Sequence, residues 1–195
     1  EKPLANVVAS GVFHLREKLG SFLWQFPPSF RFAPDPLEHF FSLLPRDTEQ
    51  ALALARKRDP RMKGRTRLAI DANRPLRHAM EIRNASFIDA SFIALLRKYS
   101  IALVVADTAG KWPYYEDVTS DFMYLRLHGD KELYASGYTE EALDRWAMRI
   151  RAWSQGAEPE DAHRIATEKA PAATSREVYC YFDNDIKVRA PFDAR

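Results

Sequence analysis

Five short runs with the period of a β-strand, separated by segments with the period of a helix, constrain this chain more than any other feature. They are Phe22 to Phe26 (FLWQF), Ala79 to Arg83 (AMEIR), Ile101 to Asp107 (IALVVAD), Phe122 to Asp130 (FMYLRLHGD) and Val178 to Asp183 (VYCYFD). Alternation sends Met123, Leu125 and Leu127 to one side of the fourth run and Tyr124, Arg126 and His128 to the other. Strands spaced by helices imply a parallel sheet, because parallel neighbours need a crossover connection. The polar residues Gln25, Glu81, Arg83, Asp107, Arg126, His128 and Asp183 fall late in their runs. Buried charges on one face of an open, doubly covered sheet would be costly without partners, whereas in a closed barrel they would meet at the mouth.

The intervening segments carry helix signals. Val8, Val12, Leu15 and Leu19 recur at helical spacing before Gly20, predicting a helix from Leu4 to Leu19 with a glycine cap. Asp35 and Pro36 open a second, with Leu37, Phe40, Phe41 and Leu44 inward, ending at Pro45. Asp89 caps a third, burying Phe92, Leu95, Leu96 and Tyr99. Thr139 caps a fourth, with Leu143, Trp146, Ala147 and Ile150 inward.

Two stretches break the rhythm. Residues 46–77 hold ten Lys or Arg against four Asp or Glu and no aromatic residue. This reads as a basic insertion forming a solvated helix and loop; the alternative is a nucleic-acid or acidic-partner surface, although single-strand binders interleave aromatics for stacking. Residues 155–176 are polar and rich in alanine and proline, a surface insertion. The whole, 1–195, reads as a single domain.

Composition narrows the function. A net charge of +2 gives little long-range attraction for polyanions, and one cysteine excludes cysteine-rich metal sites and internal disulfides. The expected location is the cytoplasm, with no membrane span and no signal-peptide core. No phosphate-cradling glycine loop or dinucleotide fingerprint is present, so no nucleotide cofactor is indicated.

The ordered set GSFLWQFPPSF, AMEIRNASF, VVADTAGKWP, DFMYLRLHG, LYASGY with LDRW, and YCYFDND resembles the domain of unknown function 72 family, the YecE-like proteins. The resemblance runs from about Leu19 to the C-terminus apart from the two insertions. It implies an α/β fold of the TIM type, a (β/α) barrel, with about five of eight βα units in this chain; its members have further strands before the LWQFPP element. On that expectation the chain is the C-terminal five-eighths of the domain. The family carries no established activity.

The expected chemistry is an enzyme acting on a polar, anionic or polyhydroxylated small molecule. Glu81 and His128 are the acid and base candidates, and Asp107 and Asp183 the orienting carboxylates. Arg83 and Arg126 would clamp an anion, with Gln25, Lys111, Trp112, Tyr134, Tyr138 and Asn184 as further contacts. If a divalent metal is used, Glu81, Asp107, His128 and Asp183 would hold it, and a metal-dependent phosphodiesterase or nuclease is the alternative reading. A non-catalytic nucleic-acid or protein-binding module using 46–77 is the third. Against all three stands a structural ion network, with Glu81 paired to Arg83 or Arg126 and His128 hydrogen-bonded to it.

Overall fold

The structure, a computed structural model, describes residues 1–186 and 188–195. It divides into two compact units, one of Glu1–Phe22 and Asp35–His78, the other of Leu23–Pro34 and Ala79–Arg195.

In the first unit the helix expected from Leu4 to Leu19 is two elements. Helix α1 covers Lys2–Ala9, Gly11 takes a left-handed φ of 106°, and a 3-10 segment follows over Val12–Lys18. A β-carbon at Gly11 would lie 3.2 Å from the Arg67 side chain, so the glycine serves a break and a close approach at residue 11, and not a cap at residue 20. Helix α2 spans Pro34–Ser42, beginning one residue before Asp35. Helix α3, Thr48–Ala55, lies inside the basic stretch and is capped by Asp47, whose side chain accepts from the Gln50 amide at 2.8 Å. Its Ala51 and Ala55 are fully buried against Val8, Ala9 and Phe13, so one face of the stretch is core. Its return leg is pinned by backbone bonds from Leu76 to Arg46 (2.8 Å) and from Thr48 to Arg74 (3.0 Å). The cations Arg56, Lys57, Arg61, Lys63, Arg65 and Arg67 stay exposed. His78 is buried with its Nε2 2.8 Å from the Pro45 carbonyl, and burial pushes its pKa down to about 4.

The strands β1 (Phe22–Gln25), β2 (His78–Glu81), β3 (Ala102–Asp107), β4 (Phe122–Leu127) and β5 (Glu177–Phe182) form one sheet in the order β1-β2-β3-β4-β5. The pairs β2–β3, β3–β4 and β4–β5 are parallel, and the sheet is open, with β1 and β5 at its edges. Helices α4 (Ala90–Lys98) and α5 (Glu140–Ser154) are capped by Asp89 and Thr139, as expected; the short α6 (Ala190–Asp193) closes the chain.

The two faces of the second unit differ. Val105, Met123, Leu125 and Leu127 pack with Ala142, Trp146 and Trp153 of α5, joined by the half-buried Leu143, Ile150, Val178 and Phe182. Ala147, expected in that stripe, is exposed, and Ala142 and Trp153 take the buried positions instead. The opposite face carries small and aromatic residues, Leu23, Ala79, Ala102, Val104, Ala106, Phe122, Tyr124 and Tyr179. Cys180 lies on the helix side, and burial pushes its thiol up to about 11, which leaves it inert near neutral pH.

The stretch 155–176 has no helix or strand of its own but is anchored. The buried Asp117 carboxylate accepts from the amides of Ile165 (2.7 Å) and Ala166 (2.9 Å), and Tyr115 stacks on His163 with ring centres 4.4 Å apart. Among the described residues no helix is long and apolar enough to cross a membrane.

Candidate functional site

Glu81, the last residue of β2, is 1% exposed, so its charge must be met inside the protein. Oε1 accepts from Arg83 Nε at 2.8 Å and Oε2 from Arg126 Nη1 at 2.5 Å. Arg126 projects from β4 on the same side and spans to the end of β5, where Nε and Nη2 reach Asp183 Oδ2 at 2.7 and 2.6 Å. Gln25, from β1, closes the ring: its Oε1 accepts from Arg83 Nη2 at 2.8 Å and Arg126 Nη1 at 2.9 Å. Burial works against the Arg126 charge, but its bonds to the Glu81 and Asp183 carboxylates outweigh it and raise its pKa above the ordinary value. Two guanidinium groups and two carboxylates balance, and four strands are cross-linked at one end of the sheet.

His128 continues β4 past its last ladder residue, with its amide bonded to the Asp107 carbonyl at 2.9 Å. Its side chain is fully buried, and neither ring nitrogen has a hydrogen-bond partner among the described residues. Nδ1 lies 3.7 Å from Asp183 Oδ2, too far for a hydrogen bond. Tyr134 meets the imidazole edge to face, ring centres 5.0 Å apart, from a left-handed backbone position (φ 64°). Burial first, and then the Arg126 charge, lower the His128 pKa, with Asp183 and Glu81 opposing in part. The lowered pKa favours the neutral imidazole, whose one proton has no acceptor among the described residues.

Trp112 lies under the Arg83 guanidinium, 3.9 Å from ring centre to Cζ, and Lys111 Nζ is 5.0 Å from the same ring. The structure therefore brings together Gln25, Glu81, Arg83, Arg126, His128, Asp183, Trp112, Lys111 and Tyr134.

Three expected members stand elsewhere. Asp107 pairs in register with Leu127, while Ala106 pairs with Arg126, so the Asp107 side chain is on the helix side of the sheet. There it accepts from the Tyr138 hydroxyl at 3.1 Å, and Tyr138 in turn accepts from the Gly129 amide at 3.1 Å. Burial raises the Asp107 pKa, and the charge of Asp130 adds to the rise. Asn184 is buried and structural: its amide donates to the Ser136 carbonyl (2.9 Å) and to Asp193 Oδ2 (2.7 Å). The expectation that all the strand-end carboxylates converge fails at Asp107, because a continuous apolar strand has no alternation from which to read a parity.

Among the described residues no three His, Cys, Asp or Glu side chains stand close enough to share a metal ion. Glu81 and Asp183 are held by arginines, and Asp107 faces away. Sequence reasoning missed Asp130, Tyr114 and Arg149, which surround Asp107 on the helix side in a cavity of its own. Only the acid two positions after His128 signalled it.

Fold and site define a parallel α/β protein with a charge-balanced cluster at the strand ends. The family model described as "Protein of unknown function DUF72" matches residues 1–195, and the chain belongs to that family. Among solved structures it is similar to the DUF72 family protein TM1631 of Thermotoga maritima, with TM-score 0.59 and 22% identity over 91% of this chain and 56% of that one. It is also similar to the DUF72 family protein EF0366 of Enterococcus faecalis, with TM-score 0.56 and 18% identity over 91% of this chain and 57% of that one. The chain thus spans a little over half the length of these relatives. No curated protein matches it.

Proposed function

We propose that the cluster at the ends of β1, β2, β4 and β5 binds a polar small molecule, with His128 as its proton donor or acceptor and Arg83 with Gln25 as its ligand contacts. The observation that carries this reading is the His128 imidazole, fully buried with both ring nitrogens unpartnered among the described residues, beside a charge-balanced ion network. An unsatisfied buried polar group costs about 1–3 kcal/mol, which a purely structural histidine would be expected to avoid by a partner or a replacement. A ligand hydroxyl or anionic oxygen would supply that partner. Arg126 commits its guanidinium to Glu81, Gln25 and Asp183, so it acts as the post that holds the network, whereas Arg83 bonds Glu81 and Gln25 through Nε and Nη2 and keeps Nη1 without a hydrogen bond among the described residues. Because the charges balance, a polyhydroxylated or singly charged ligand suits the site better than a polyphosphate.

The sheet itself is read as part of a TIM-type barrel. Its strands follow one another in sequence order, and right-handed crossovers that run in a single direction place their helices on one face of such a sheet. The other face, lined by Ala79, Ala102 and Ala106, is then free to become an interior, and the strand ends its mouth. A doubly wound sheet would instead reverse its order at a switch point. The relatives' greater length leaves room for further strands.

A thermal-shift panel of sugars, sugar acids and sugar monophosphates, applied to the wild type and His128→Phe, tests the site. At least one compound is expected to raise the wild-type Tm and to leave the variant's unchanged, while the unliganded variant is as stable as the wild type or slightly more so. No response in the wild type, or equal responses in both, would remove the assignment.

A further inference from the structure

A cavity of about 250 Å³ opens on the helix side of the sheet, lined by Asp107 at the end of β3, Tyr114 in the loop after it, Asp130 in the loop after β4, and Arg145, Trp146 and Arg149 on α5. We infer that this cavity is a ligand site separate from the cluster on the other face, and that it takes a small organic ammonium ion.

Some of the charges around the cavity are already met. Arg149, one turn along α5 from Arg145, is committed: its guanidinium lies 3.2 Å from Glu116 Oε1 and 2.7 Å from Asp161 Oδ2. Among the described residues the hydrogen-bond partners of Asp107 are neutral: the Tyr138 hydroxyl at 3.1 Å, the Ala109 amide at 3.4 Å and the Trp146 side chain. Asp130 has no hydrogen-bond or ion-pair partner among the described residues, and its charge is felt at Asp107. Arg145 is on the exposed face of α5, at the rim. Counting Glu116 and Asp161 with the lining groups gives four acids against two arginines, a local excess of two negative charges. A partly closed site with that balance attracts a cation.

The walls decide which kind of cation. Tyr114 and Trp146 meet edge to face with ring centres 6.3 Å apart, and Trp146 is buried in the α5 core. Aromatic surface beside two carboxylates suits an alkylammonium group, which combines charge with hydrocarbon. A hard divalent ion would ask for several oxygen ligands at about 2.0–2.6 Å, and no three of the described acidic, histidine or cysteine side chains converge. The volume, equivalent to about eight waters, suits an amine of a few heavy atoms, and Arg145 at the rim could meet a carboxylate on the same molecule. The class is therefore a primary amine or a small amino acid.

Isothermal titration calorimetry with ethylammonium chloride, sodium acetate and sodium chloride separates the outcomes. Ethylammonium is expected to bind saturably and acetate not at all. Asp107→Asn keeps an oxygen for Tyr138 and Asp130→Asn alters only a loop residue; each is expected to weaken ethylammonium at least tenfold with an unchanged thermal transition. The inference is overturned by a wild type that takes up ethylammonium no better than sodium, by acetate binding in its place, or by a folded Asp130→Asn variant that binds as tightly as the wild type.

Discussion

Replacing Arg126 by methionine is expected to cost about 3–5 kcal/mol of unfolding free energy, the range for breaking a buried ion pair by removing one partner. Methionine fills much of the aliphatic volume, so the loss reports charge and hydrogen bonding more than packing. Glu81, 1% exposed, would keep Arg83 but lose its second guanidinium, and both Gln25 and Asp183 would lose a donor. Urea unfolding at pH 7 measures it. Adding Glu81→Gln to the variant should recover part of the loss, because it removes the carboxylate left short of a partner. A loss under about 1 kcal/mol would mean that solvent already screens the pair as it does a surface ion pair.

The second large effect is expected at Gly156. Helix α5 ends in a Schellman motif, with the Gly156 amide bonded to the Trp153 carbonyl at 2.9 Å and the Ala157 amide to the Ala152 carbonyl at 2.9 Å. Gly156 has φ 78°, and an added β-carbon would overlap the Ala173 carbonyl oxygen, a backbone atom with no rotamer to escape into. Gly156→Ala therefore combines left-handed strain with displacement of the 173–174 backbone, together about 2–4 kcal/mol. Thermal unfolding checks it. Since Trp153 and Trp146 sit on the same helix, near-ultraviolet circular dichroism should report the shift as well. A transition within a degree or two of the wild type would show that the 155–176 segment yields freely.

How legible all this was in the sequence depended on where alternation was informative. FMYLRLHGD alternates cleanly, and Arg126 and His128 lie on the face its pattern predicts, opposite Leu125 and Leu127. IALVVAD is apolar throughout, so the side taken by Asp107 is set by its register with β4 alone. The caps Asp89 and Thr139 were readable because each precedes an amphipathic stripe, whereas the break at Gly11 follows from the distant Arg67, which no local pattern announces. The alanines of α3 show the same limit: amid so many cations, Ala51 and Ala55 become core only through α1. The candidate site was readable as a set of residue types, but the charge balance and the stranded imidazole required distances.

The most direct measurement is an NMR titration of the His128 ring nitrogens. A neutral imidazole that titrates below 6.5 and shows no strong hydrogen bond at either nitrogen is the predicted result, since burial and Arg126 both oppose its protonation. Protonation would then take stability away as pH falls from 6.5 through the lowered pKa, because the unfolded chain binds the proton more readily. A His128 that titrates above 6.5, locked as an imidazolium on Asp183, would contradict the account and make the cluster a structural ion network.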